Sequence, residues 1–266
     1  MTSIAGRAWR FTHAIARSPG VSVTEGLRKG GTRAPDPEKF RLEHEAYVAA
    51  LESAGVDVTV LSALEAFPDS VFVEDAALCS GGTAITLRPG APARRGEAAA
   101  IRPALESLFE TVLDLPGGGT VDGGDVLLSG EEVFIGLSKR TDEKGCEALA
   151  SLLEDLGYRS RRVPSPPEVL HLKSDCGLLD SETLFATRRL AASGCFSDYR
   201  VIEAPAGEEG AANLIRVNDV VLLRSGFPRT EALLRDAGFA VTTLSVDEAA
   251  RVDGGLSCLS LRFALT

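Results

Sequence analysis

The stretch Val252-Asp253-Gly254-Gly255-Leu256-Ser257-Cys258-Leu259-Ser260-Leu261-Arg262-Phe263 decides the fold. A short helical run, residues 246–251, leads into two glycines, and a cysteine then opens an apolar segment that reads as a strand. A thiol at a loop-to-strand junction is presented where a nucleophile would be. Taken alone it reads as an inert buried cysteine, because free Cys is among the most buried residue types and reactive thiols need a special setting. What changes that reading is the recurrence of the same junction along the chain.

Glu74 precedes two short strands near 76–79 and 83–87, joined by Ser80-Gly81-Gly82. Asp122, in Thr120-Val121-Asp122-Gly123-Gly124-Asp125, precedes apolar Val126-Leu127-Leu128 and a strand at 133–137. His171 precedes a strand at 173–179, which pairs with 183–186 through Asp180-Ser181. Asn213 precedes strands at 214–217 and 220–223, joined by Asn218-Asp219. Helical segments separate most of these pairs: Ile101, Leu105, Leu108 and Val112 have the helical period, as do Cys146, Leu149, Leu153 and Leu156. Glu74, Asp122, His171, Asn213 and Cys258 are separated by 48, 49, 42 and 45 residues. A repeat of about 45 residues is the signature of stacked or cyclic supersecondary units. Residues 9–15 alternate like a strand and are expected to pair with 259–264, closing a ring of five α/β units of ββαβ type. The whole chain, residues 1–266, is expected to form one domain around that ring.

The early segment 18–35 is rich in Gly, Ser, Pro and charge and reads as either a functional loop such as a lid or a disordered one. It is followed by a helix over 36–54, on which His44 shares the apolar face of Phe40, Tyr47 and Leu51 and reads as a packed core histidine.

With 266 residues, 44% of them apolar and 25% charged, the composition is that of an ordinary globular protein. The five cysteines have neither a disulfide-framework nor a zinc-ligand spacing, which implies a reducing compartment. No signal-like apolar region follows Arg7 and Arg10, and no apolar run approaches a membrane span, so a cytoplasmic location is expected. A net charge of −10 argues against nucleic acid or an anionic membrane as partner. Arg161-Arg162 and Arg188-Arg189 read as solvated faces.

Convergence of the five junctions would gather Asp69, Glu74, Asp75, Asp122, His171 and Cys258. A thiol, an imidazole and a carboxylate to orient it follow the nucleophile–base–orienter logic of covalent catalysis. The surplus acids suit a planar cation, since a guanidinium offers five N–H donors in a fork that carboxylates accept bidentately. Gly254 and Gly255 would let the backbone come close to that substrate.

Ser70-Val-Phe-Val-Glu-Asp75, Leu87-Arg-Pro-Gly-Ala-Pro-Ala-Arg94-Arg95, Val121-Asp-Gly-Gly-Asp125, Ile135-Gly-Leu-Ser-Lys-Arg140-Thr141, His171-Leu-Lys-Ser174 and Val252-Asp-Gly-Gly-Leu-Ser-Cys258 together resemble the dimethylarginine dimethylaminohydrolases. Six motifs in order cover the chain from about Arg10 to Phe263. The resemblance implies a five-bladed pseudo-symmetric α/β propeller and a hydrolase that converts methylated arginines to citrulline without metal or organic cofactor. It implies Cys258 as nucleophile, His171 as general acid/base and Asp122 as the acid that holds the histidine. Asp69, Glu74 and Asp75 would be substrate-binding acids, and Arg94 and Arg140 would bind the α-carboxylate. Leu27 would be the lid leucine, and Val252 would contact substrate through its backbone. A soft metal such as zinc would bridge Cys258 and His171 as an inhibitor, and a homodimer is compatible with the resemblance. Asp175 departs from the pattern, where an uncharged residue is expected. An arginine deiminase-like or citrulline hydrolase-like activity is the alternative, although the deiminases carry a helical insertion for which this chain has no room.

Overall fold

The computed structural model describes residues 8–28, 33–130, 132–166 and 168–265. The chain builds five three-stranded sheets, and four of them follow the sequence in the same way. A 3-10 turn leads into a short inner strand, a hairpin returns along a middle strand, and a helix crosses to an outer strand parallel to the middle one. The first such unit runs from the turn Val73–Ala76 through β3 (Ala77–Ser80), β4 (Thr83–Thr86) and helix α2 (Glu97–Glu106) to β5 (Thr111–Asp114). The second uses the turn Gly123–Asp125, β6 (Val126–Leu128), β7 (Glu132–Leu137), α3 (Glu143–Asp155) and β8 (Arg159–Pro164). The third uses Leu172–Ser174, β9 (Cys176–Leu178), β10 (Thr183–Ala186), α4 (Arg188–Ala191) and β11 (Arg200–Glu203). The fourth uses Glu209–Ala212, β12 (Ile215–Val217), β13 (Val220–Arg224), α5 (Pro228–Asp236) and β14 (Ala240–Leu244).

The fifth unit joins the two ends of the chain. After α6 (Asp247–Ala250), the turn Ser257–Leu259 leads into β15 (Ser260–Phe263), which pairs antiparallel with β1 (His13–Arg17), His13 opposite Phe263. Helix α1 (Pro37–Ser53) then crosses to β2 (Asp57–Leu61), parallel to β1. The expected ring of ββαβ units is therefore closed by its own termini.

The core is divided as the ring is. Five apolar clusters are present among the described residues, and each is shared by two neighbouring units. Leu78 and Ile85 of the first unit pack with Val133, Leu149 and Leu153 of the second. Ile15, Leu261 and Phe263 of the last unit pack with Val73, Ala84 and Ile101 of the first. A unit on its own would expose two of these faces.

Local sequence sets the helix ends. The Asp36 carboxylate accepts from the N–H groups of Glu38 and Lys39, Pro37 occupies the first turn, and Gly55 at φ +86° follows the C-terminus of α1. His44 is 2% exposed on the inner face of α1, and burial drops it to about 4. It is the packed core histidine expected.

Three boundaries differ from the sequence reading. The first strand begins at His13, because residues 9–11 leave the sheet: Asn218 Oδ1 accepts the Phe11 N–H and its amide donates to the Phe11 and Ala54 carbonyls. Helix α2 ends at Glu106, so Val112 belongs to β5 and not to the helix. The third unit crosses on the four-residue α4, too short to leave a periodic signal.

Candidate active site

The five turns bring the junction residues to one end of the ring axis. Glu74 lies in the first turn and Cys258 in the last; Asp122 and His171 cap the second and third at their N-termini, and Asn213 ends the fourth. The turns pack so closely that side chains are excluded at several points. A Cβ on Gly123 would stand 1.9 Å from the Glu74 carbonyl oxygen, and one on Gly124 would stand 2.6 Å from His171 Nδ1.

His171 is 4% exposed, with Nε2 2.9 Å from Asp122 Oδ2 and 4.0 Å from Asp75 Oδ1. Burial disfavours its charged form, but the Asp75 charge, the Asp122 bond and the nearby Asp125 together push it up to about 9. The Asp122 carboxylate is fully buried, and its other oxygen accepts the Gly90 N–H at 2.7 Å. Asp75, 2% exposed, accepts the Gly124 N–H at 2.9 Å. Burial opposes its ionisation, yet His171 and Arg94 hold it at about 2. Cys258 is half-buried in the last turn, and its N–H donates to the Gly255 carbonyl. Burial and the charges of Glu74 and Asp75 push its thiol up to about 12.

Glu74 uses only one of its two oxygens. Oε1 pairs with Lys173 Nζ at 2.7 Å and accepts from Arg262 Nη2 at 3.1 Å, while buried Oε2 has no hydrogen-bond partner among the described residues. Asp69 is 6% exposed; Oδ1 accepts the Leu27 N–H at 3.0 Å, and burial raises its carboxyl. Leu27, 39% exposed, is thus held through its backbone. Gly26, next to it, lies against both Asp69 and Val252. Val252 is 3% exposed in the apolar cluster with Phe72, against which Cys258 packs, and its N–H donates to the Ala249 carbonyl.

The two expected carboxylate-binding arginines differ. Arg140 is 20% exposed, with Nη1 3.8 Å from Asp122 Oδ2. Arg94 is 4% exposed, and all three nitrogens have protein partners: Glu97 on Nε and Nη2, Asp75 on Nη1, and the Asp69 and Phe72 carbonyls on Nη2. Burial opposes the charge on Arg94, but Asp75 and Glu97 push it well above its ordinary value. It holds Asp75 in place and does not stand open as Arg140 does.

Gly254 and Gly255 also have packing reasons: a Cβ on the first would stand 2.2 Å from Phe72, and on the second 2.3 Å from Asn213 Oδ1. Among the described residues, Asp75, Asp122 and His171 form a group of three able to hold a metal, their ligand atoms lying within 4.8 Å of one another. Asp175, the departure from the motif, is 1% exposed and accepts two N–H groups of Arg189, whose side chain remains 43% exposed. Arg161 likewise pairs with Glu132 and Asp198.

The sequence reading missed the scaffold behind these groups. Asp125 accepts the Leu172 N–H beside His171 and the hydroxyls of Ser138 and Thr141 on either side of Arg140. Asn213 bridges two turns, donating to the Lys173 carbonyl and Ser257 Oγ and accepting the Ser257 N–H. Glu97 and Lys173 were also passed over. The one available signal was the second acid of Asp122-Gly-Gly-Asp125.

The family model for eukaryotic N,N dimethylarginine dimethylhydrolases matches residues 34–171. The N(G),N(G)-dimethylarginine dimethylaminohydrolase of Pseudomonas aeruginosa is 39% identical over 254 residues, covering 95% of this chain and 100% of the relative. The chain belongs to the dimethylarginine dimethylaminohydrolase family. Solved family structures superpose over almost all of it. That of the Pseudomonas aeruginosa protein, a cysteine-to-serine variant complexed with citrulline, gives a TM-score of 0.93 at 38% identity, covering 96% of this chain and all of the other. That of a histidine-to-glycine variant in an adduct with S-methyl-L-thiocitrulline gives 0.92 at 38% identity, covering 95% of this chain and all of the other. The five-bladed α/β propeller is thus the family fold. No helix among the described residues is long and apolar enough to cross a membrane.

Proposed function

We propose that this chain hydrolyses Nω-methylated arginines, asymmetric dimethylarginine and monomethylarginine, to citrulline and the methylamine. The observation that carries the reading is the excess of buried carboxylate around one thiol. Burial, together with the charges of Glu74 and Asp75, pushes the Cys258 thiol up to about 12, and a cation that offsets those charges favours the thiolate. A guanidinium brings that cation, and its N–H donors suit the partnerless Oε2 of Glu74 and the carboxylate of Asp75.

The mechanism follows from the proton inventory. With the substrate bound, the Cys258 thiol releases its proton to solvent water and the thiolate attacks the guanidinium carbon, forming a C–S bond; the thiol is re-formed by taking a proton back after citrulline is expelled. His171, protonated at neutral pH and kept in place by Asp122, gives its proton to the departing dimethylamine nitrogen as the C–N bond breaks. This leaves an S-alkylthiouronium on Cys258. A water then attacks the same carbon with His171 as base, and collapse expels the thiolate and leaves citrulline. Proton transfer of this kind contributes roughly 10²–10⁴-fold. Arg140 takes the α-carboxylate, and Arg94 acts through Asp75. Leu27, Asp69 and Val252 close the site at the lid, with Val252 meeting the ligand through its backbone. No step needs a metal or cofactor.

Turnover of dimethylarginine, monomethylarginine, arginine, citrulline and agmatine in parallel tests this reading. Preference for the two methylated arginines is expected. Preference for arginine or citrulline would instead support the deiminase-like or citrulline hydrolase-like alternative. A cytoplasmic location, a single domain over residues 1–266 and independence from nucleic acid and membranes accompany the reading.

A further inference from the structure

Behind the turns, on the ring axis, lies a second cavity of about 200 Å³. Cys258, His171, Asp122 and Asp75 do not line it. Its wall takes one aliphatic side chain from each inner strand: Leu78, Leu127, Leu178, Ile215 and Leu261. Each inner strand runs away from its turn, four of them to a hairpin and β15 to the C-terminal end, so the cavity extends from the backs of the turns towards the opposite end of the ring. Glu74, Lys173 and Arg262 form its inner end, and Trp9 and Arg216 lie towards the far end.

The inner end is unbalanced in charge. Lys173 and Arg262 share one carboxylate oxygen, Glu74 Oε1. Arg262 also donates to the Ser257 and Ser260 carbonyls, whereas Glu74 is the one hydrogen-bonding partner of the Lys173 ammonium among the described residues. An ammonium has three donors, and this one, with its side chain 12% exposed, meets an apolar chamber. An apolar cavity of about 150 Å³ holds benzene, so the volume here suits a chain of about six carbons.

We propose that this axial cavity is a second ligand site for a small monocarboxylate with an apolar body, its carboxylate on Lys173 and Arg262 and its tail among the five aliphatic side chains. Net positive charge at the closed end selects an anion, and the apolar wall selects a tail. A zwitterionic amino acid fits neither demand. The occupant draws Lys173 from Glu74 and thereby acts on the reaction without overlapping the substrate. That coupling rests on the reading of Glu74 as a substrate-binding acid; the binding itself does not.

Trp9 is the one tryptophan of the chain and lines the cavity, so its fluorescence reads occupancy without turnover. Titration of the whole protein with hexanoate is expected to change the emission saturably, with acetate, which lacks the apolar tail, and hexylammonium, which lacks the carboxylate, each at least about tenfold weaker. Lys173→Met is expected to weaken hexanoate by the same factor, and Leu127→Phe to reduce binding by filling the wall. Citrulline at saturation leaves the hexanoate response in place. No saturable change with hexanoate, equal binding of hexylammonium, or competitive displacement by citrulline would each overturn the proposal. Should Leu127→Phe not fold, the Lys173→Met and citrulline comparisons still decide it. Because nothing here requires catalysis, a negative substrate panel and a negative hexanoate titration are separate results.

Discussion

At the scale of single residues, the order in which two protons leave governs the chemistry. His171 titrates at about 9 and Cys258 at about 12, so the resting pair at neutral pH is imidazolium beside neutral thiol. Alkylation of Cys258 by a neutral reagent is therefore expected to be slow at pH 7 and to climb throughout the alkaline range; a rate already at plateau near neutrality would refute the resting thiol. Arg140 makes a second prediction. Arg140→Ala removes one charge-assisted carboxylate contact and is expected to raise KM for dimethylarginine about 10–100-fold with a smaller change in kcat. An equal loss towards agmatine, which has no carboxylate, would contradict the role. Cys258, His171 and Asp122 were legible in the sequence because the chemistry of each side chain coincides with a position in the repeat. Arg94 was not, because its resting partners, Asp75 and Glu97, depend on how α2 packs against the first turn.

At the scale of elements, the 3-10 turns are the working parts, and their contacts leave no room for side chains. Gly124→Ala puts a methyl where His171 Nδ1 now lies 2.6 Å away, so the imidazole moves and kcat is expected to fall by about 10²-fold while substrate binding changes little. Steady-state kinetics of that variant measures it, and an unchanged kcat would mean that the imidazole position is not set by this turn. The repeat revealed that five turns exist and roughly where they lie. It did not reveal what fixes them to each other, since Asp125 and Asn213 act through backbone groups 40 or more residues away. The glycines before Cys258 show the same limit. Their close neighbours, Phe72 and Asn213, belong to other units of the ring.

At the scale of the molecule, every apolar cluster spans two units, so no unit can leave without exposing its neighbours. We expect calorimetry to record one cooperative transition; two resolved transitions would divide the chain into separate domains. Stability should depend on pH through the same groups that serve the site. His171 has its folded-state value raised from 6.5 to about 9, so its contribution is complete below about pH 6.5 and is lost as pH rises through 9. Asp75 is depressed to about 2, so its contribution is complete above about 3.8 and is lost as pH falls through 2. Thermal melts from pH 6.5 to 9.5 should therefore show a falling midpoint, flattened in His171→Asn; an equal slope in the variant would assign the effect elsewhere.

The central claim is that Cys258 forms the covalent intermediate. Acid quenching during turnover of dimethylarginine, followed by intact-mass and peptide analysis, tests it directly. The account predicts a thiouronium adduct on the peptide containing Cys258, and no adduct and no turnover in a folded Cys258→Ser variant. An adduct on another residue, or near-native turnover by that variant, would contradict it.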